Sequence, residues 1–258
     1  MIDPAGKTAL VTRDGDNKVS ILKVDGDKVE HSGRDMYAGL KPYPVGISPK
    51  GDWAAVAAVG MGNGDVDTVS LINLKLDPPR VVDTVTVGPT PEGVKVSPNG
   101  KYAAVVVHNG SASAPTSPFY NAQGKVVLLG ISNGRLVRLS EEKIGRWSQG
   151  AAFSADSATL LVQNMVEKDI QVFRVELDQV RDTWHRIKLP GGGAAIGTFV
   201  MSNSIHDVKH TLGGFGKILK GASFHKSDYV DLLSLLYYLV RLASTKGNMA
   251  LEPHIEKP

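Results

Sequence analysis

The chain has 258 residues, no cysteine, 42% hydrophobic residues and a formal net charge of +3. It is long and apolar enough for a buried core, and the missing cysteines exclude disulfides, thiolate nucleophiles and cysteine-ligated metals. So small a charge, without a run of Lys or Arg, argues against nucleic acid as a partner.

The first residues, Met1-Ile2-Asp3-Pro4, carry neither a basic nor an apolar leader region, so no signal peptide is expected in them. Strand-like runs follow: Thr8 to Thr12 and Lys18 to Val24, joined by Asp14-Gly15-Asp16-Asn17 and closed by the turn Asp25-Gly26-Asp27. A phrase then recurs. Pro91-Glu92-Gly93-Val94-Lys95-Val96-Ser97-Pro98-Asn99-Gly100-Lys101-Tyr102 reads as strand, Pro/Gly turn and second strand. It is matched by Pro42 to Val56 and, in worn form, by Ser148 to Val162, while Asp3 to Val11 is its second half.

The equivalent positions Asp3, Ser48, Ser97 and Ser154 recur at the spacing of four-stranded units, which predicts propeller blades. Within the second unit Trp53 to Val59, Thr68 to Leu74 and Arg80 to Val87 are strands, and within the third Tyr102 to Val107, Val126 to Ile131 and Leu136 to Leu139. A long loop, His108 to Gln123, interrupts the third unit, and the fourth offers Thr159 to Gln163, Ile170 to Val175 and Trp184 to Leu189. The aromatics Trp53, Tyr102, Trp147 and Phe153 are expected to pack between blades.

After Pro190-Gly191-Gly192-Gly193 the period of two gives way to helical spacing. A helix is expected from the cap Ser227 to Lys246, with Asp228 and Asp231 in its first turns and Arg241 near its end, and a weaker one from Ile205 to Lys220. Its apolar stretch, Tyr229 to Ala243, is too short to span a bilayer. The fold class is therefore mainly β with an α C-terminal segment: a partial propeller of about three and a half blades over residues 1–190, followed by a helical arm over 191–258.

The blade phrase resembles the repeats of bacterial propellers of the YVTN and surface-layer type, which are similar in fold to lactonase-like propellers. About three and a half blades is fewer than the roughly four a closed ring needs, so blades upstream or self-association of two chains is expected to complete it. The second segment resembles MotA, the flagellar stator subunit. The likeness rests on Gly193 to Asn203, Phe215 to Gly221, Asp228 to Tyr237 and Leu251 to Glu256. It implies the stretch from the end of the second membrane helix into the cytoplasm, which in that family touches the rotor protein FliG while the subunit works with MotB. The rotor-contacting Glu is matched by Glu252; the Arg position holds Ser244, with Arg241 and Lys246 nearby.

The family's other membrane helices are absent, so no ion conduction is expected. The propeller type implies an exported location and the stator type the cytoplasmic face of the membrane. Together they predict a chimeric, non-enzymatic chain joined near Gly191 to Gly193.

Other chemistry is thinner. His206 and His210 share a helical face but lack a third ligand, and Asn63-Gly64-Asp65-Val66-Asp67 reads as a turn rather than a calcium loop, so no metal and no cofactor is expected. For the alternative, a lactonase-like hydrolase, the candidate group is His108 with Glu92 and Asn109. That alternative requires His108 and a carboxylate within hydrogen-bond reach.

Overall fold

The computed structural model describes residues 1–190. The expected helices, the His206/His210 pair and the residues Arg241, Lys246 and Glu252 lie outside the described residues. Within 1–190 the chain forms fifteen strands in four antiparallel meanders. The first sheet has three strands: β1 (Thr8–Arg13), β2 (Lys18–Asp25) and β3 (Lys28–Tyr37). The other three have four each: β4 (Pro42–Ile47) to β7 (Arg80–Gly88), β8 (Pro91–Val96) to β11 (Arg135–Ile144), and β12 (Ser148–Phe153) to β15 (Gln179–Lys188). Between these ends run β5 (Trp53–Ala58), β6 (Asp67–Asn73), β9 (Tyr102–Val107), β10 (Gly124–Ser132), β13 (Thr159–Asn164) and β14 (Asp169–Glu176).

The sheets stand side by side, with β4 against β8 and β8 against β12 on the inner side, and β3, β7, β11 and β15 succeeding one another on the outer side. In the first sheet β1 holds the second-strand position. Its free edge is met by residues 1–3, with Leu10 N–H donating to Met1 O at 2.8 Å and Asp3 N–H to Thr8 O at 2.8 Å.

The second strands β5 and β9 are buried on both faces, so they read as unbroken apolar runs. Ala103, Val105 and Val107 of β9 pack on Ala55, Ala57, Val69 and Leu71 of the second sheet. Ala104 and Val106 face the other way, onto Leu160, Val162 and Phe173 of the fourth. Each fully buried Val, Leu or Phe stabilises the stack by roughly 1.5–3 kcal/mol.

Outer strands escape sequence pattern for the same reason in reverse. In β3 only Met36 is fully buried, so its polar sequence has no alternation to read, and backbone pairing with β2 alone makes it a strand. Likewise β11 runs on to Ile144, and β15 begins at Gln179 rather than at Trp184.

The repeated phrase builds one turn four times. The side-chain oxygens of Asp3, Ser48, Ser97 and Ser154 accept the N–H five residues on, from Thr8, Trp53, Tyr102 and Thr159, at 2.9–3.0 Å. The residue two before each second strand is left-handed: Gly6, Gly51 and Gly100 in three turns, and Ser157 in the fourth.

A second device locks each inner strand to the sheet before it. Lys41, Thr90 and Trp147, one residue ahead of β4, β8 and β12, have φ of 54°, 57° and 50°. Their N–H groups donate to Asn17 Oδ1, Asp67 Oδ2 and Ser111 Oγ, all from the preceding unit, at 2.8–3.1 Å.

Candidate functional site

His108 follows directly on β9, and its N–H donates to Thr90 O at 2.9 Å, which holds the start of the long loop against the entry to β8. Glu92 is the second residue of β8. The two meet: His108 Nε2 lies 3.0 Å from Glu92 Oε2, off the line of a well-aligned hydrogen bond, and the imidazole side chain is only 4% exposed. Gln149 of β12 donates from Nε2 to the same carboxylate oxygen at 2.8 Å.

The His108 contact holds the Glu92 carboxyl below its ordinary value, against the opposing effect of burial and with help from Gln149. The inner strands come close enough for this because residue 93 has no side chain: a Cβ there would sit 2.1 Å from Gln149 O. Asn109 does not join the group, since its Nδ2 points to Gln123 O at 3.4 Å. Gln149 escaped sequence reasoning, although it occupies the position of Glu92 in the next copy of the phrase.

Imidazole beside carboxylate is acid–base chemistry in outline. Here the ring is sealed by its own neighbours. Glu92 and Gln149 would have to move before a substrate atom reached Nε2.

A larger feature was invisible in the sequence. A cleft of about 740 Å³ lies between β11 and the β14–β15 hairpin. It is lined by a network of polar side chains, buried at Asn164, Asp169 and Gln171 and partly buried at Asp182 and Arg186. Asn164 Nδ2 donates to Asp169 Oδ1 at 2.9 Å, Gln171 Nε2 to Asp182 Oδ2 at 2.8 Å, and Arg186 grips both oxygens of Asp182 at 2.9 and 2.7 Å. Burial works against charge on Asp182, but Arg186, Trp184 N–H and Gln171 outweigh it and hold the carboxyl below its ordinary value.

At the cleft Trp184 is 84% exposed. Of the four aromatics expected between blades, Trp53, Tyr102 and Phe153 do pack against inter-sheet cores. Trp147, left-handed in its backbone, is 44% exposed and joins none of the three cores. Among the described residues no three His, Asp or Glu side chains converge as a metal ion would require.

The likeness to known proteins falls in two parts. Residues 191–247 match the family Motility protein A N-terminal. Motility protein A of Salmonella typhimurium is 37% identical over 67 residues, 26% of this chain and 23% of that protein, and the Escherichia coli protein 36% identical over 66 residues. The chain thus spans less than a quarter of the length of these relatives. The family match includes Arg241 and Lys246 and stops short of Glu252.

For the rest the likeness is one of fold. A Bacteroides uniformis protein described as a candidate 6-phosphogluconolactonase superposes with a TM-score of 0.60 at 16% identity, over 73% of this chain and 54% of that one. A periplasmic gluconolactonase of Pseudomonas aeruginosa gives 0.57 at 15%, over 74% and 59%. The chain covers little more than half of each, and the four sheets correspond to part of such a propeller.

Proposed function

We propose that this is a non-enzymatic, chimeric binding protein in which a propeller scaffold, residues 1–190, carries a MotA-like stator segment, residues 191–258. The observation that carries the reading is the match of 191–247 to the motility family. The burial of His108 behind Glu92 and Gln149 favours a scaffold over a catalyst in the first segment. On this reading the second segment contacts the rotor protein FliG through Arg241, Lys246 and Glu252, with MotB as its stator partner.

Immobilised full-length chain, presented with purified FliG, tests it. Capture that falls at least tenfold in an Arg241→Ala/Lys246→Ala double variant, and further in E252A, is the expected result; no capture by the parent chain removes the stator role.

One observation favours a second reading, a lactonase-like hydrolase: the 3.0 Å approach of His108 Nε2 to Glu92 Oε2, on a fold shared with gluconolactonases. Gluconolactone opening by the purified chain, lost in H108A, is its signature. A rate equal to the uncatalysed one eliminates it.

A further inference from the structure

Trp184 is held where folding alone gives it no reason to be. Its indole is 84% exposed and its φ is +61°, a left-handed conformation that costs a bulky residue roughly 1–2 kcal/mol. The β14–β15 register breaks between Gln171 and Phe173, and the extra residues on β15 form the bulge that carries Trp184. The bulge is not loose. Trp184 N–H donates to Asp182 Oδ1 at 2.8 Å and Thr183 Oγ to Val172 O at 2.6 Å, while Asp182 is itself clamped by Arg186 and Gln171. Strain kept in place by a hydrogen-bonded network is the mark of a site built for something outside the chain.

What fits follows from the lining. A flat apolar platform stands at a cleft whose other groups are polar, and three of those, Asn164, Asp169 and Gln171, are at least 95% buried and fixed by one another. The carboxylates of the cleft are already matched by cations, Lys125 on Glu141 at 3.1 Å, Arg146 on Glu167 at 3.1 Å, Lys188 on Asp169 at 2.9 Å and Arg186 on Asp182 at 2.7 Å, so these cations are not waiting for an anion such as a nucleotide. Toward the opening, Gln123, Glu142 and Lys143 carry side-chain polar atoms without a partner among the described residues. An aromatic face beside uncommitted donors and acceptors, in a site with no call for an anion, suits a ligand with an apolar ring face and a hydroxylated edge.

We propose that the cleft between β11 and the β14–β15 hairpin binds a neutral oligosaccharide, with Trp184 as the stacking platform and Asp182 as the residue that positions it. The site is distinct from the His108–Glu92 group and stands whatever the C-terminal segment binds.

The test is titration of the full-length chain with maltohexaose, cellohexaose and chitohexaose, followed by tryptophan fluorescence and calorimetry. At least one should bind, with affinity reduced tenfold or more in W184A, largely kept in W184F and unchanged in W147A. D182N, which loosens the bulge, should weaken binding several-fold while leaving the circular dichroism spectrum unaltered. Failure of all three sugars to bind the folded chain overturns the proposal, as does W184A binding like the parent, or ATP binding at Trp184 in their place. FliG capture by W184A at the parent level separates failure here from failure of the stator reading.

Discussion

Ser157 Oγ accepts the Asn99 N–H at 3.1 Å, and so ties the turn of the fourth sheet to the turn of the third. Ser157 stands where the other copies of the phrase have glycine, with φ of +63°, and its side chain is buried. The inter-sheet bond explains why a residue with a Cβ is kept in a left-handed position.

Two substitutions at Ser157 separate these effects. S157A keeps the strain and loses the bond, and should lower stability by about 1 kcal/mol. S157G loses the bond but relieves a strain of similar size, so it should be within about 0.5 kcal/mol of the parent. Urea unfolding midpoints of the two variants check this; equal losses would mean that the left-handed backbone at 157 carries no strain.

Glycine matters for a different reason at 93 than at 100. A Cβ at Gly100 meets nothing within 4 Å, and only its φ of +72° opposes one, so G100A should cost about 1 kcal/mol. At Gly93 the Cβ would collide with Gln149 O at 2.1 Å and Val106 Cβ at 2.9 Å, and forcing β8 away from β12 should cost about 3 kcal/mol. Thermal melts should therefore order the chains as parent, G100A, G93A.

Thr90 is a β-branched residue in a left-handed position, held by Asp67 Oδ2 through its N–H. T90G keeps that N–H and removes the strain, so a gain of about 1 kcal/mol is expected. Differential scanning calorimetry reads it directly, and a lower melting temperature would show that the threonine side chain stabilises more than its backbone costs.

Two carboxylates give stability opposite slopes with pH. Contact with His108 depresses the Glu92 carboxyl, so its contribution is present above the unfolded value near 4.5 and is lost as pH falls through the lower folded value. Burial raises the Asp67 carboxyl, the Thr90 N–H opposing and Asp65 adding to the shift. Its contribution is present below the unfolded value near 3.8 and is lost as pH rises through the higher folded one. E92Q should then destabilise at pH 7 and matter less at pH 3, whereas D67N, which keeps an acceptor for Thr90, should help at pH 7 and not at pH 3. Denaturant melts at the two pH values decide the signs.

The strand-turn-strand phrase and its Ser or Asp acceptor were legible because each lies within about ten residues of chain, where turn chemistry and apolar runs are decided locally. Those local signals also paired His108 with Glu92, both at ends of one hairpin. The outer strands β3 and β15 were not legible in full, since an exposed strand takes its identity from backbone pairing and not from side chains.

Sequence alone, then, determined the repeat, the inner hairpins and the motility-family likeness of residues 191–247. Only the tertiary structure decided what lies between repeats: Gln149 closing over Glu92, Trp147 left exposed, Ser157 bonded to Asn99, and a polar cleft with Trp184 at its side. The physical reason is distance along the chain. These contacts join residues tens of positions apart, on faces that exist only once one sheet has packed against the next, and no local propensity encodes them.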